Sequence, residues 1–216
     1  MLRNALLFRC TLAVALALAA VVPAAAQEEA AAAPAADGAF QSDVAADLER
    51  AGKKLVSLAE AIPADKYGWR PADGVRSVSE VFVHVANANT LLPPSMGLSP
   101  PPDVSLPEGM EAAFAWMRER EASVTAKDDV IAALKGSVDY AAGAVRGLAT
   151  PALEEEMDLF FPASRRTYAL ILLTHNHEHL GQAIAYARSI GVTPPWSEAG
   201  EAPAEEPATG TEPGDV

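Results

Sequence analysis

The chain has four histidines, and three of them fall within five residues, in Thr174-His175-Asn176-His177-Glu178-His179, while His84 lies far upstream. Imidazole is both a divalent-metal ligand and a proton carrier near neutral pH. On a helix advancing about 100° per residue, His179 sits about 40° from His175, with Ile171, Leu172, Gln182 and Tyr186 within about 60° of it. His175 and His179 therefore share the apolar face, whereas His177, about 200° away, is expected to point outwards. His84 lies beside Val81, Ala88, Leu91 and Leu92 and also borders a buried side. Two histidines at i and i+4, joined by a third from a facing helix, form a three-nitrogen set that leaves further positions on an ion open. Without metal, three buried imidazoles would leave nitrogens seeking partners, at about 1–3 kcal/mol for each one unsatisfied. The motif is not HExxH, because Asn176 stands where the glutamate base would be. Glu178 is expected at an exposed edge, as a solvated or supporting carboxylate rather than a catalytic one. The single cysteine, Cys10, excludes a disulfide framework, a CxxC redox pair and a zinc site built from several thiolates.

The elements that must carry these histidines are helical. Phe40, Val44, Leu48, Ala51, Leu55, Leu58 and Ile62 recur at helical spacing and form one stripe, which Pro63 ends. Ser77-Val78-Ser79-Glu80 has the form of a capping box, opening a second helix that is expected to stop before Pro93-Pro94. A Pro-rich connection follows, then a shorter amphipathic piece around Phe114, Trp116 and Met117. Thr125 and Asp128 introduce a third long stripe through Val130, Leu134, Val138, Ala141, Val145 and Leu148. The last long helix starts near Ser164 and runs through Tyr168, Ile171, Leu172, Tyr186 and Ile190 to Gly191. Four such helices, 40–62, 77–92, 126–149 and 164–190, predict an all-α antiparallel four-helix bundle with a Pro-rich insertion between the second and third, and no alternating strand pattern competes.

The chain's 216 residues hold 16 Lys+Arg against 29 Asp+Glu, a formal charge of -13, so the basic footprint of a nucleic-acid binder is missing. Residues 1–26 read as a secretory signal: Arg3 and Arg9 precede the apolar run Cys10 to Val22, and Ala24-Ala25-Ala26 precedes Gln27. Pro23 breaks that run short of the ~20 apolar residues a membrane span needs, so no stable anchor is expected after cleavage. The mature chain would then be periplasmic or secreted. Residues 27–38 and 197–216 are rich in Ala, Pro, Gly and acids and are expected to be a disordered linker and an acidic tail. The domain is thereby placed at 39–196.

Several pieces together, Tyr67-Gly-Trp-Arg-Pro71, Arg76-Ser-Val78, Val83-His84-Val85-Ala86 and His175-xxx-His179-Leu-Gly181-Gln182, resemble the DinB-like superfamily of bacterial metal-binding bundles. The resemblance runs from about Phe40 to Trp196, with a longer than usual connection over Pro93 to Val124. It implies the bundle fold and a divalent metal held by His84, His175 and His179, zinc foremost, with nickel, iron or manganese as alternatives. Characterised relatives include thiol-dependent transferases and isomerases. Three neutral imidazoles leave an ion its full +2 charge, which suits hydrolysis as well as thiol transfer. Export favours a metal-dependent hydrolase or ligand binder over a thiol-dependent transferase, with a non-catalytic metal-binding bundle as the contrasting expectation. The substrate would be a small molecule, and homodimer formation is left open.

Overall fold

The computed structural model describes residues 38–102 and 104–198. The expected signal (1–26), the linker as far as residue 37 and the tail from residue 199 lie outside the described residues. Four long helices, α1 (Ala39–Ala61), α2 (Val78–Ser95), α4 (Lys127–Arg146) and α5 (Arg165–Ser189), form the bundle. A shorter α3 (Met110–Ser123) precedes α4, a hairpin of β1 (Glu156–Asp158) and β2 (Pro162–Ser164) precedes α5, and α6 (Pro195–Glu198) follows it.

The bundle is the one expected, and its pairings give it a definite topology. Neighbouring helices are α1 with α4, α4 with α2, α2 with α5, and α5 with α1, so α1 and α2 occupy diagonal corners. Arg146 bonds Glu49 while Lys127 reaches the carbonyl of Ile62, so α1 and α4 run antiparallel. Tyr186 meets Arg76 while Asn176 meets Asn89, which makes α5 antiparallel to α2. At Gly52 an added Cβ would stand 2.3 Å from Val138 Cγ1, so α1 and α4 approach more closely than any side chain there would allow.

The apolar stripes fill two clusters. One gathers Leu55, Leu58, Val81, Phe82, Leu134 and Ala183, the other Leu48, Ala141, Val145, Tyr168 and Leu172. Between them along α2, α4 and α5 lies a buried polar layer. Asn89 Nδ2 donates to Asn176 Oδ1 at 3.2 Å and Asn176 Nδ2 donates back to Asn89 Oδ1 at 2.7 Å. Asn176 also donates to the Leu172 carbonyl, and Asn89 to Ser137 Oγ. Both asparagines are fully buried. Asn176, which by sequence only broke a motif, is therefore part of the core.

Local chemistry sets the ends. Ser77 Oγ accepts from Glu80 N–H and Glu80 accepts from Ser77 N–H, completing the expected capping box. Ser164 caps α5 by accepting from Thr167 N–H. Thr125 does not cap α4, whose first turn has no side-chain cap. Contrary to expectation, α2 continues through Pro93 and Pro94. The prolines fall in its last turn, where the chain needs their carbonyls: Leu98 N–H bonds Pro93 O and Gly97 N–H bonds Pro94 O. That is a Schellman closure, and Gly97 at φ 81° supplies its left-handed residue. The hairpin departs from the all-helical expectation, since strands of three residues carry no readable alternation. Its loop is gathered on buried Tyr168, whose hydroxyl accepts from the N–H groups of Leu159, Phe160 and Phe161 and donates to the Phe161 carbonyl.

Candidate metal centre

Helix α5 turns its fully buried column, Ala169, Leu172, Asn176 and Ala187, into the core. His175 and His179 lie beside this column, so they are half-buried at the edge of the interior rather than within it. His84 comes from α2, which runs antiparallel to α5 and so brings its middle opposite them. The three imidazoles offer ligand atoms that all lie within 4.8 Å of one another, and they are the one such cluster of His, Cys, Asp or Glu among the described residues. Ring centroids are 5.1 Å apart for His84 and His175, 4.8 Å for His84 and His179, and 4.5 Å for His175 and His179. His177 is exposed, as expected, with Nε2 3.3 Å from Asp47 on α1. Glu178 is exposed too.

The surroundings fix the tautomers. His84 Nδ1 is 2.8 Å from Glu121 Oε1, so its Nδ1–H donates to the carboxylate and its Nε2 lone pair is bare. At His179 the assignment follows from a chain with only one consistent direction. The Arg76 carbonyl can only accept, so Tyr186 O–H donates to it at 3.1 Å. Gln182 Nε2 donates to Tyr186 at 3.2 Å, which turns Gln182 Oε1 toward His179 Nδ1 at 2.7 Å. His179 thus carries its proton on Nδ1 and presents a bare Nε2. Gln182 is thereby committed to orienting this histidine.

Arg76 ties the two supports together. Its carbonyl ends the Gln182 chain, and its guanidinium bonds Glu121 at 2.9 Å. The peptide around it is held by the segment that first suggested the family: Val78 N–H bonds Trp69 O, Ser79 N–H bonds Tyr67 O, and Tyr67 O–H donates to Ala59 O. Glu121, on α3, had no signal in the sequence beyond being one acid among many. It is 9% exposed. Burial pushes its carboxyl up, yet hydrogen bonds from His84 and Arg76 outweigh this and hold it below the ordinary value, so it stays ionised. Further along α3, Arg120 donates to buried Asn87 of α2, which in turn donates to the Met117 carbonyl, pinning the helix beside the site.

His175 lies deeper than His179. Burial, then the neighbouring His179, His84 and Arg76, pushes its pKa down from 6.5 to about 3. Burial also lowers His179, against the opposing pull of Gln182. These shifts have a sign in stability. Between about 3 and 6.5 the unfolded chain takes a proton that folded His175 refuses, so the metal-free protein should lose stability as pH falls from 6.5 toward 3. Urea unfolding at pH 7.5, 6 and 5 checks this, and His175→Ala should flatten the dependence.

The donor set suits a divalent ion. His84 Nε2 and His175 Nε2 are 3.2 Å apart, close to the roughly 3.4 Å between two nitrogens that each lie ~2.1 Å from one tetrahedral ion. His175 Nδ1 is buried without a partner, and its Nε2 is the nitrogen that approaches His84. Removing the carboxylate by Glu121→Ala should weaken metal binding by about 10–100-fold, with Glu121→Gln recovering part of it, as read by competition against a chelating dye.

Fold and site together define a four-helix bundle with a three-histidine cluster between its second and last long helices. Residues 47–183 match the DinB superfamily, and the chain belongs to that family. A DinB-like protein from Bacillus cereus ATCC 10987 has the same fold at a TM-score of 0.55 and 17% identity, covering 72% of this chain and 93% of that one. A conserved protein from Enterococcus faecalis gives a TM-score of 0.51 at 17% identity, covering 67% of this chain and 93% of the other. No curated protein matches the sequence.

Proposed function

We propose that His84, His175 and His179 hold a divalent ion, zinc first, in an exported protein that uses it to hydrolyse a small molecule. The observation that carries the metal assignment is the pair of supports, Glu121 and Gln182, which keep the Nδ1 protons of His84 and His179 in place and leave both Nε2 atoms unprotonated. When bound, the ion supplies a +2 Lewis-acidic charge with coordination positions beyond the three nitrogens. Among the described residues no fourth His, Cys, Asp or Glu joins the cluster, which favours an open over a closed structural site. The chain's own residues keep the site primed. Glu121 stays ionised and fixes the His84 ring, Arg76 balances that charge, and the lowered pKa values of His175 and His179 keep protons from competing for their donor nitrogens. Export rests on the signal-like start through Ala26, and the absence of nucleic-acid partners on the net charge of -13.

Cobalt substitution tests this reading. The visible spectrum of the cobalt form should shift when azide, acetate or a thiol is titrated in, and the zinc form should cleave an activated ester at a rate lost in His84→Ala. A spectrum indifferent to all three would favour a structural ion, and a response to thiols without ester cleavage would favour thiol transfer.

A further inference from the structure

Beside the histidine cluster is a cavity of about 180 Å³ whose walls are almost wholly apolar. Leu91 and Leu92 of α2, Met110, Phe114 and Met117 of α3, and Phe160 of the hairpin loop line it, and His84 and His175 close it on the metal side. Two features distinguish it from a packing defect. Two of the three clustered histidines, His84 and His175, form part of its wall, and its outer wall consists of elements added to the four-helix frame. Met110, Phe114 and Phe160 are 42%, 46% and 52% exposed, so large apolar groups are kept at a rim in water, where burial against a ligand would be favourable. A dry cavity of about 150 Å³ accommodates a benzene ring.

We propose that this cavity takes the apolar part, an aryl ring or an alkyl group of about six carbons, of a small amphiphilic ligand whose anionic oxygen or sulfur head binds the metal. The inference deepens the metal reading and rests on it for the head group alone. An anionic head follows from three neutral imidazoles, which leave the +2 charge uncompensated. The apolar tail follows from the lining, which offers it no polar partner except Ser95 and the histidines themselves.

Calorimetric titration of the zinc-loaded protein with acetate, butyrate, hexanoate and octanoate reads the two parts together. Affinity should rise about fourfold per methylene, the equivalent of ~0.8 kcal/mol, and level off near hexanoate. Titration of the metal-free protein with butanol, hexanol and octanol, followed by NMR, reads the cavity without the ion and should show the same dependence on chain length. Ala113→Phe, which fills the cavity from α3, should abolish that dependence while zinc stoichiometry stays unchanged. Phe160→Ser, on the exposed loop, should weaken hexanoate but not acetate, and keeps the test valid if Ala113→Phe fails to fold. Equal binding of acetate and hexanoate by a protein that retains zinc would overturn the proposal. Chain-length dependence for the alcohols in a protein that never binds zinc would overturn the metal reading and leave the apolar cavity standing.

Discussion

Replacing His84, His175 or His179 by alanine should lower affinity for zinc by more than the about 10–100-fold expected from losing an outer partner, while His177→Ala leaves it unchanged. The contrast follows from position. The first three present ligand atoms within 4.8 Å of one another, whereas His177 faces Asp47 on the far side of α5. Each variant removes one of three donors, and no other His, Cys, Asp or Glu among the described residues stands in the cluster to replace it. Metal content after dialysis against a weak chelator, with circular dichroism to show that the bundle persists, reads the difference. Equal retention by all four variants would refute the site.

The second large effect lies in the core. Asn176→Ala should destabilise the protein by about 3 kcal/mol, because it leaves a cavity and strands the Asn89 carbonyl oxygen without its donor. For a chain of this size that corresponds to a fall in midpoint of roughly 6–12 °C. Asn89→Ala should cost a similar amount. The double replacement Asn89→Ala/Asn176→Ala should be less damaging than the sum of the singles, since removing both partners leaves no orphaned amide. Thermal unfolding of the metal-free protein separates this from any effect on the ion. Simple additivity of the two singles in that double variant would mean that the amides act independently.

Much of this arrangement could be read in the residue order because the signals were local. Long stripes such as Phe40 to Ile62 repeat often enough to define a helix, and the capping box at Ser77 and Glu80 is a four-residue motif. His175 and His179 share a face through spacing alone. What the residue order does not display depends on contacts between distant segments or on very short elements. Glu121 becomes a partner of His84 only when α3 folds back across 37 residues, and nothing in its immediate neighbours marks it among the other acids. The Asn89 and Asn176 amides look like polar interruptions until α2 and α5 place them opposite each other. Pro93 and Pro94 stood as helix breakers, but a proline in a last turn leaves its carbonyl free for the closing bonds that Gly97 and Leu98 make. The turn of α5 at the histidines was also finer than a 100° wheel could convey. The apolar arc spans both Leu172, which enters the core, and His175, which borders it.

Helix α3 is anchored differently from the rest of the molecule. It packs chiefly on α2, Glu121 is the one buried residue along its length, and polar contacts through Asn87, Arg120 and Glu121 fasten it there. With so little apolar burial of its own, its detachment is governed by a local opening free energy well below that of global unfolding. The wall of the cavity can therefore breathe while the four long helices stay packed, and each opening takes Glu121 away from His84. Loosening the Arg120 and Asn87 tether should then speed hydrogen exchange in α3 with little effect on the histidines, whereas loosening Glu121 should also release His84.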